Sequence, residues 1–230
     1  MAVTFPARKH LLRAATTALA TAGPTLAHVA PVRRALVGRA ERWLYDMSHA
    51  DQVSGKELPG VADDRTAIGL AITRTIARAL AEDRFSPGAL HSMSKILVQS
   101  LLIEQGEQSA QIRFKAGHKD ASPPSFLTIS PTKACNLRCT GCYADSGATS
   151  EKLEWATFDR IIGEAKTLWG ARLIVLSGGE PFAYRSDGKG IVDMAEKHAD
   201  CLFMAYTNGT LINDAVAERL ARAGNLWPAI

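Results

Sequence analysis

The 230-residue sequence predicts an α/β fold: a partial (βα) parallel-sheet barrel preceded by a helical N-terminal region. Three observations carry that expectation. Apolar residues recur at helical spacing up to about residue 116. Beyond a polar stretch, short apolar runs of strand length alternate with helical segments, the rhythm of βα units. The two most unusual loops each follow a strand directly, where parallel α/β folds place their sites. The domains expected are a helical region over 1–116, a linker over 117–125 and a sheet-bearing core over 126–230.

Taken in order, Ile68, Ile72, Ile76 and Leu80 mark one apolar helical face. Ser86 followed by Pro87 reads as a cap with proline at the first helical position. Leu90, Met93, Leu97 and Leu101 continue as the stripe of the next helix, to about Glu104. "GHKDASPPS" (117–125) reads as linker. "FLTIS" (126–130) is a short strand feeding a cysteine loop. Phe158, Ile161, Ile162, Ala165, Leu168 and Trp169 form a helical apolar face ended by Gly170. "RLIVLS" (172–177) is a strand apolar enough for burial on both sides. Residues 190–199 are helical, "CLFMAYT" (201–207) is a strand, Asn213 caps a helix running to Gly224, and "LWPAI" opens a further strand. A closed eight-fold barrel takes roughly 250 residues, and 126–230 is far shorter. The sheet is therefore expected to be half-built, completed by a partner or, the favoured expectation, by more of a longer chain.

With 47% hydrophobic and 22% charged residues, the composition is that of a soluble globular protein. Four cysteines, three of them clustered, do not make a disulfide-stapled scaffold; a reducing compartment, the cytoplasm, is expected. Residues 1–50 hold seven basic side chains (Arg8, Lys9, Arg13, Arg33, Arg34, Arg39, Arg42) against Glu41 and Asp46, a net of +5, so the chain's overall +4 is concentrated in this arm and the rest nets −1. It reads first as solvated helix surface, and second as a contact for an anionic partner or membrane surface, with a location peripheral to the membrane. "AATTALATAGPTLAHVA" (14–30) lacks charge but is Ala/Thr-rich and broken by Pro24, so it reads neither as a span nor as a signal peptide.

Chemistry concentrates in two loops. "ACNLRCTGCYA" (134–144) spaces Cys135, Cys139 and Cys142 at intervals of four and three. Disulfides need pairs and a structural zinc needs four ligands; three thiolates suit an iron–sulfur cluster with one iron left open. Arg138 within the loop offsets cluster charge or is simply solvated. "LSGGEPF" (176–182) ends the next strand: Gly178 and Gly179 permit close backbone approach, Glu180 is an acceptor suited to an ammonium group, and Pro181 stiffens the exit. Parallel neighbours bring both loops to one edge of the sheet.

On these residues the chain resembles the radical S-adenosylmethionine (SAM) superfamily: "CNLRCTGC" matches its CxxxCxxC signature and "GGEP" its second motif, in order and in βα setting. The resemblance implies a radical SAM-type partial barrel and a 4Fe–4S cluster on Cys135, Cys139 and Cys142. It implies SAM chelating the open iron, with Gly178, Gly179 and Glu180 receiving the methionine amino group and Pro181 closing that turn. The activity implied is one-electron cleavage of SAM to a 5′-deoxyadenosyl radical, which takes hydrogen from a substrate the sequence does not name. A reductant such as flavodoxin or ferredoxin is implied with it. Thr207 and Asn208, in "YTNGT", join the cofactor site by the same resemblance or form a plain turn. Many members carry an aromatic residue before the third cysteine; here Gly141 stands there, and Tyr143 is the substitute for lining the adenine.

The competing expectation is a non-catalytic or electron-transfer Fe–S (or zinc) protein with Cys201 or His118 as fourth ligand. Cys201 reads more simply as a buried strand residue. His91 and His198 read as structural, and Trp43, Trp155, Trp169 and Trp227 as packing residues.

Overall fold

In the computed structural model the described residues are 29–53, 58–102, 105–119, 121, 123–124 and 126–230. Much of the basic arm (Arg8, Lys9, Arg13), most of the uncharged 14–30 stretch and the helix end at Glu104 lie outside them. So do the side chains of Leu97 and Leu101. The chain divides into two compact units at Ser86–Pro87. The expected 117–125 linker falls inside the second unit, because the helices on either side of residue 104 pack on helices of the sheet domain.

The first unit contains α1 (Ala30–Val53) and α2 (Pro59–Ala81). They run antiparallel: Ser48 Oγ donates to Ala62 O, Gln52 donates to Asp63 at 2.7 Å, and Arg74 pairs with Glu41 at 2.8 Å. The facing stripe of α2 is small, Ala62, Thr66 and Gly69, and Leu44 lies where a Cβ on Gly69 would sit, 2.9 Å from its Cδ2. That close approach explains a correction. Ile68 and Ile72, expected in the apolar contact face, are 61% and 55% exposed, since the small-residue stripe beside them makes the contact. Trp43, expected to pack, is likewise 60% exposed.

The second unit begins with α3 (Pro87–Leu102) and α4 (Gln105–Gly117), then β1 (Phe126–Ile129), α5 (Trp155–Trp169) and β2 (Leu173–Leu176). α6 (Ile191–Lys197), β3 (Leu202–Tyr206), α7 (Asp214–Ala223) and β4 (Leu226–Ala229) follow. The strands form one parallel sheet in sequence order, with Ile129, Leu176 and Ala205 in register. The helices α5 and α7 stop where the sequence marks them. Gly170 (φ 71°) and Gly224 (φ 69°) end α5 and α7 in the left-handed region, and Asn213 Oδ1 accepts from Val216 N to start α7. α7 also meets the start of α3 so closely that a Cβ on Gly224 would collide with the Gly88 backbone, and Ser92 Oγ donates to Ala223 O.

The core lies between the sheet and its crossover helices. Trp155, Phe158, Ile162 and Ala165 of α5 pack on Ile129, Ile174, Leu176, Phe203 and Ala205. Leu168, expected on that face, is 56% exposed, while Trp155 supplies the first turn. Residues of the other strand parity (Thr128, Val175, Met204) face away from the helices. Buried Asn225 ties the α6–β3 connection, donating to Ala195 O at 2.8 Å and Cys201 O at 3.0 Å.

At the N-terminal edge of the sheet His198 is buried between Lys166 and Asp159. Lys166 Nζ is 3.0 Å from Nδ1, and Nε2 is 2.9 Å from Asp159. An ammonium donates only, so Nδ1 accepts and Nε2–H donates to the carboxylate: the neutral tautomer. Burial, then Lys166, holds the imidazole below its ordinary 6.5. The unfolded chain therefore binds this proton first as pH falls, and stability should decline from about pH 6.5 downward. Asp159, paired with Lys197, and Asp200, paired with Lys166 and Arg172, are pulled up by burial but held below their ordinary 3.8 by those cations, and extend the loss through the carboxylate range. Urea midpoints between pH 8 and 5 should fall in the wild type, and His198→Gln should flatten that limb.

Candidate functional site

β1, β2 and β3 are parallel, so the loops that follow them emerge at one edge. The cysteine loop leaves β1 through Pro131 and Thr132, both buried. It is tied to the segment that returns from it: Cys135 N donates to Gly147 O at 2.9 Å and Lys133 N to Glu151 O at 3.0 Å. Cys139 is exposed, Cys135 and Cys142 are partly covered, and none is in a disulfide. Backbone N–H groups of Ser146 and Ala144, against a small opposing effect of burial, hold the Cys142 thiol below its ordinary value; this favours the thiolate that a metal requires. Among the described residues no three His, Cys, Asp or Glu side chains converge on a point that would hold a single metal ion. The three thiols are arranged along the loop.

The Gly-Gly turn is fastened to this loop. Gly179 N donates to Thr132 O at 2.9 Å and Glu180 N to Ala134 O at 2.8 Å. Gly178 has φ +96°, and a Cβ there would lie 2.7 Å from Ser130 Cβ; one on Gly179 would strike the Ala134 carbonyl. Both glycines are thus demanded by contact between the two loops. Pro181, buried, starts a 3₁₀ turn over Pro181–Ala183 that carries Phe182 into the core.

Glu180 differs most from expectation. Its carboxylate does not face outward to receive an ammonium group; the residue is 1% exposed. Oε1 accepts from Phe182 N (2.9 Å) and Thr207 Oγ1 (2.7 Å), and Oε2 from Asn208 N (2.9 Å). A buried carboxylate needs such donors, and here they come from its own turn and from the turn after β3. Thr207 and Asn208 are therefore brought to the site, held by Glu180. Tyr143 is 79% exposed, yet its hydroxyl sits 2.6 Å from Ser177 Oγ and accepts from Gly178 N at 3.1 Å, bridging the two loops. Gly141 has φ +75°, a conformation that an aromatic residue at that position would strain to adopt.

A cleft of about 560 Å³ opens beside these turns, lined by Ser130, Thr132, Lys133, Tyr143, Gly178 and Gly179 among others. Its size suits a nucleoside-sized ligand. The proposed fourth ligands are elsewhere. Cys201 precedes β3 at the opposite edge, fully buried, its thiol pushed up to about 11 by burial. His118 closes α4, stacked on Phe114 with Nδ1 2.8 Å from the Phe114 carbonyl. Sequence reasoning missed Asn136, Thr210 and Ser177. Asn136 and Thr210 bond each other across the loops at 2.7 Å, and only their places inside the two quoted motifs hinted at them.

The profile of the Radical SAM superfamily matches residues 129–230. The GTP 3′,8-cyclase of Desulforamulus reducens is 35% identical over 109 residues, 44% of this chain and 31% of that protein. The Fe-coproporphyrin III synthase of Methanosarcina barkeri is 30% identical over 107 residues, 46% of this chain and 26% of that one. SuiB of Streptococcus suis, solved with its precursor peptide SuiA, aligns at a TM-score of 0.44 and 24% identity over 52% of this chain and 27% of its own. The chain spans a third or less of the length of these relatives. Motif order, βα setting and profile coincide on one segment, residues 129–230, which matches the radical SAM superfamily.

Proposed function

We propose that this chain is the cluster- and cofactor-binding part of a radical SAM enzyme, with Cys135, Cys139 and Cys142 holding a 4Fe–4S cluster and SAM occupying the adjoining cleft. The observation that carries the reading is the fastening of the Gly-Gly turn to the cysteine loop through Gly179 N–Thr132 O and Glu180 N–Ala134 O. It sets the backbone that would meet the methionine end of SAM against the loop that would hold the iron. The donor set fits: three free thiols, one with its thiolate favoured by backbone N–H groups. When bound, the cluster and SAM supply one-electron cleavage of the sulfonium C–S bond, the superfamily's route to hydrogen abstraction.

The chain's own residues orient and enclose. Gly178 and Gly179 leave the turn's backbone open to the cleft, Pro181 stiffens its exit, and Tyr143 ties the cysteine loop to the end of β2. Glu180, Thr207 and Asn208 fix one turn on the next. Cys139 and Arg138 are exposed, which leaves a face for a reductant such as flavodoxin or ferredoxin. Arg33, Arg34, Arg39 and Arg42 lie on α1 and are the described part of the proposed anionic contact. No helix among the described residues is long and apolar enough to cross a membrane.

Anaerobic reconstitution with iron and sulfide, followed by EPR of the reduced chain with and without SAM, tests the reading. The expected result is a 4Fe–4S signal that changes shape on adding SAM. A signal indifferent to SAM would overturn it, as would failure of Cys135→Ala, Cys139→Ala and Cys142→Ala to abolish the cluster.

A further inference from the structure

Asn208 is over-committed for a turn residue. Its Oδ1 accepts from Thr210 N at 3.0 Å and Thr210 Oγ1 at 2.6 Å, a local turn that an aspartate would make equally well. The amide nitrogen, which only asparagine has, serves something else: it donates to Asn136 Oδ1 at 3.0 Å and lies 3.9 Å from Cys135 Sγ. Asn136 in turn donates to Thr210 Oγ1 at 2.7 Å, closing a ring of side chains. From behind, Glu180 grips the Asn208 backbone N–H at 2.9 Å and Thr207 Oγ1 at 2.7 Å; Thr207 Oγ1 accepts in turn from Gly209 N. At 3.9 Å the amide is at the outer limit of donation to sulfur, so its effect on Cys135 is that of an oriented dipole, positive end toward the thiolate.

We propose that Asn208 is a positioning residue for the metal centre, held by Glu180 and Asn136 so that its amide N–H dipole bears on Cys135 and raises the reduction potential of the cluster bound there. The inference rests on the cluster-binding reading above. N–H dipoles aimed at ligand sulfur stabilise the more negative, reduced state, so removing one makes the centre harder to reduce. A second N–H, from Leu137, reaches the same sulfur at 3.4 Å, so Cys135 is the thiol of the three that the fold surrounds with donors from two loops.

The test is a redox titration of the anaerobically reconstituted full chain, followed by EPR, for wild type, Asn208→Ala and Asn208→Asp. Asn208→Ala decides, because it removes the amide donor and adds no charge; Asn208→Asp keeps the acceptor for Thr210 N but brings a carboxylate whose charge lowers the midpoint by itself. The expected result is a midpoint shifted to more negative potential in both variants, further in Asn208→Asp, with iron content per chain close to wild type. An Asn208→Ala midpoint equal to wild type would overturn the proposal and leave Asn208 a turn residue. If both variants lose the cluster, Thr210→Val decides: it loosens the ring and leaves the amide in place, so a smaller negative shift supports the proposal and an unmoved midpoint overturns it. A wild-type chain that takes up no cluster overturns the underlying reading, and the proposal with it, and is distinguished from the other outcomes by its iron content alone.

Discussion

Gly179→Ala should cut stable cluster uptake several-fold. The added methyl would strike the Ala134 carbonyl and lie 2.8 Å from the carbonyl carbon of Lys133. These are backbone atoms at the root of the cysteine loop, with no side-chain end that can swing away. Relief requires the two loops to part, which breaks Gly179 N–Thr132 O and Glu180 N–Ala134 O together. Overpacking of this kind costs about 1–3 kcal/mol in a core, and the lost hydrogen bonds add about 1 kcal/mol each. Iron per chain after reconstitution should fall several-fold, with a lowered thermal midpoint. Gly163→Ala, on α5 with open space at its Cβ, is the control that should leave iron content unchanged and the thermal midpoint unlowered, since alanine favours a helix interior. Normal iron content in Gly179→Ala would show that the loops are not packed as described.

The second large effect is expected from Glu180→Gln. The substitution preserves shape and removes one acceptor. Whichever way the new amide is turned, its NH₂ group faces a backbone N–H, that of Phe182 or that of Asn208. One buried donor is then left unpaired, at a cost of about 1–3 kcal/mol, read as a reduced unfolding free energy in urea. Glu180→Ala orphans both N–H groups and the Thr207 hydroxyl, and should cost more. Had the carboxylate been the partner of an ammonium group in the cleft, Glu180→Gln would weaken SAM binding and leave stability unchanged. The reverse pattern, lost stability first and weakened binding as its consequence, is what burial at 1% exposure requires.

Most elements were legible because local signals and tertiary demands agree along residues 126–230. The strands at 126–129, 173–176, 202–206 and 226–229 are short apolar runs between turn signals, and Gly170, Asn213 and Gly224 punctuate the helices where expected. Agreement failed where two faces of one helix competed. On α2 the bulky Ile68–Ile72 stripe has the stronger periodic signal, but the small stripe of Ala62, Thr66 and Gly69 lets α1 approach closely and takes the contact. Periodicity records that a face is apolar; it does not record which face fits a neighbour.

By itself the sequence determined the parallel βα order, the three thiols on one loop and the glycine pair on the next, since spacing and backbone permissiveness are properties of the chain. Tertiary structure alone decided what the polar residues of the site do. It turned Glu180 inward, joined it to Thr207 and Asn208, and set the Asn208 amide near Cys135, 73 residues away in the chain. The physical reason is that a carboxylate or an amide takes its role from whichever donors and acceptors the fold places within about 3 Å, and in a parallel sheet those come from neighbouring strands that the chain reaches only after a full helical crossover.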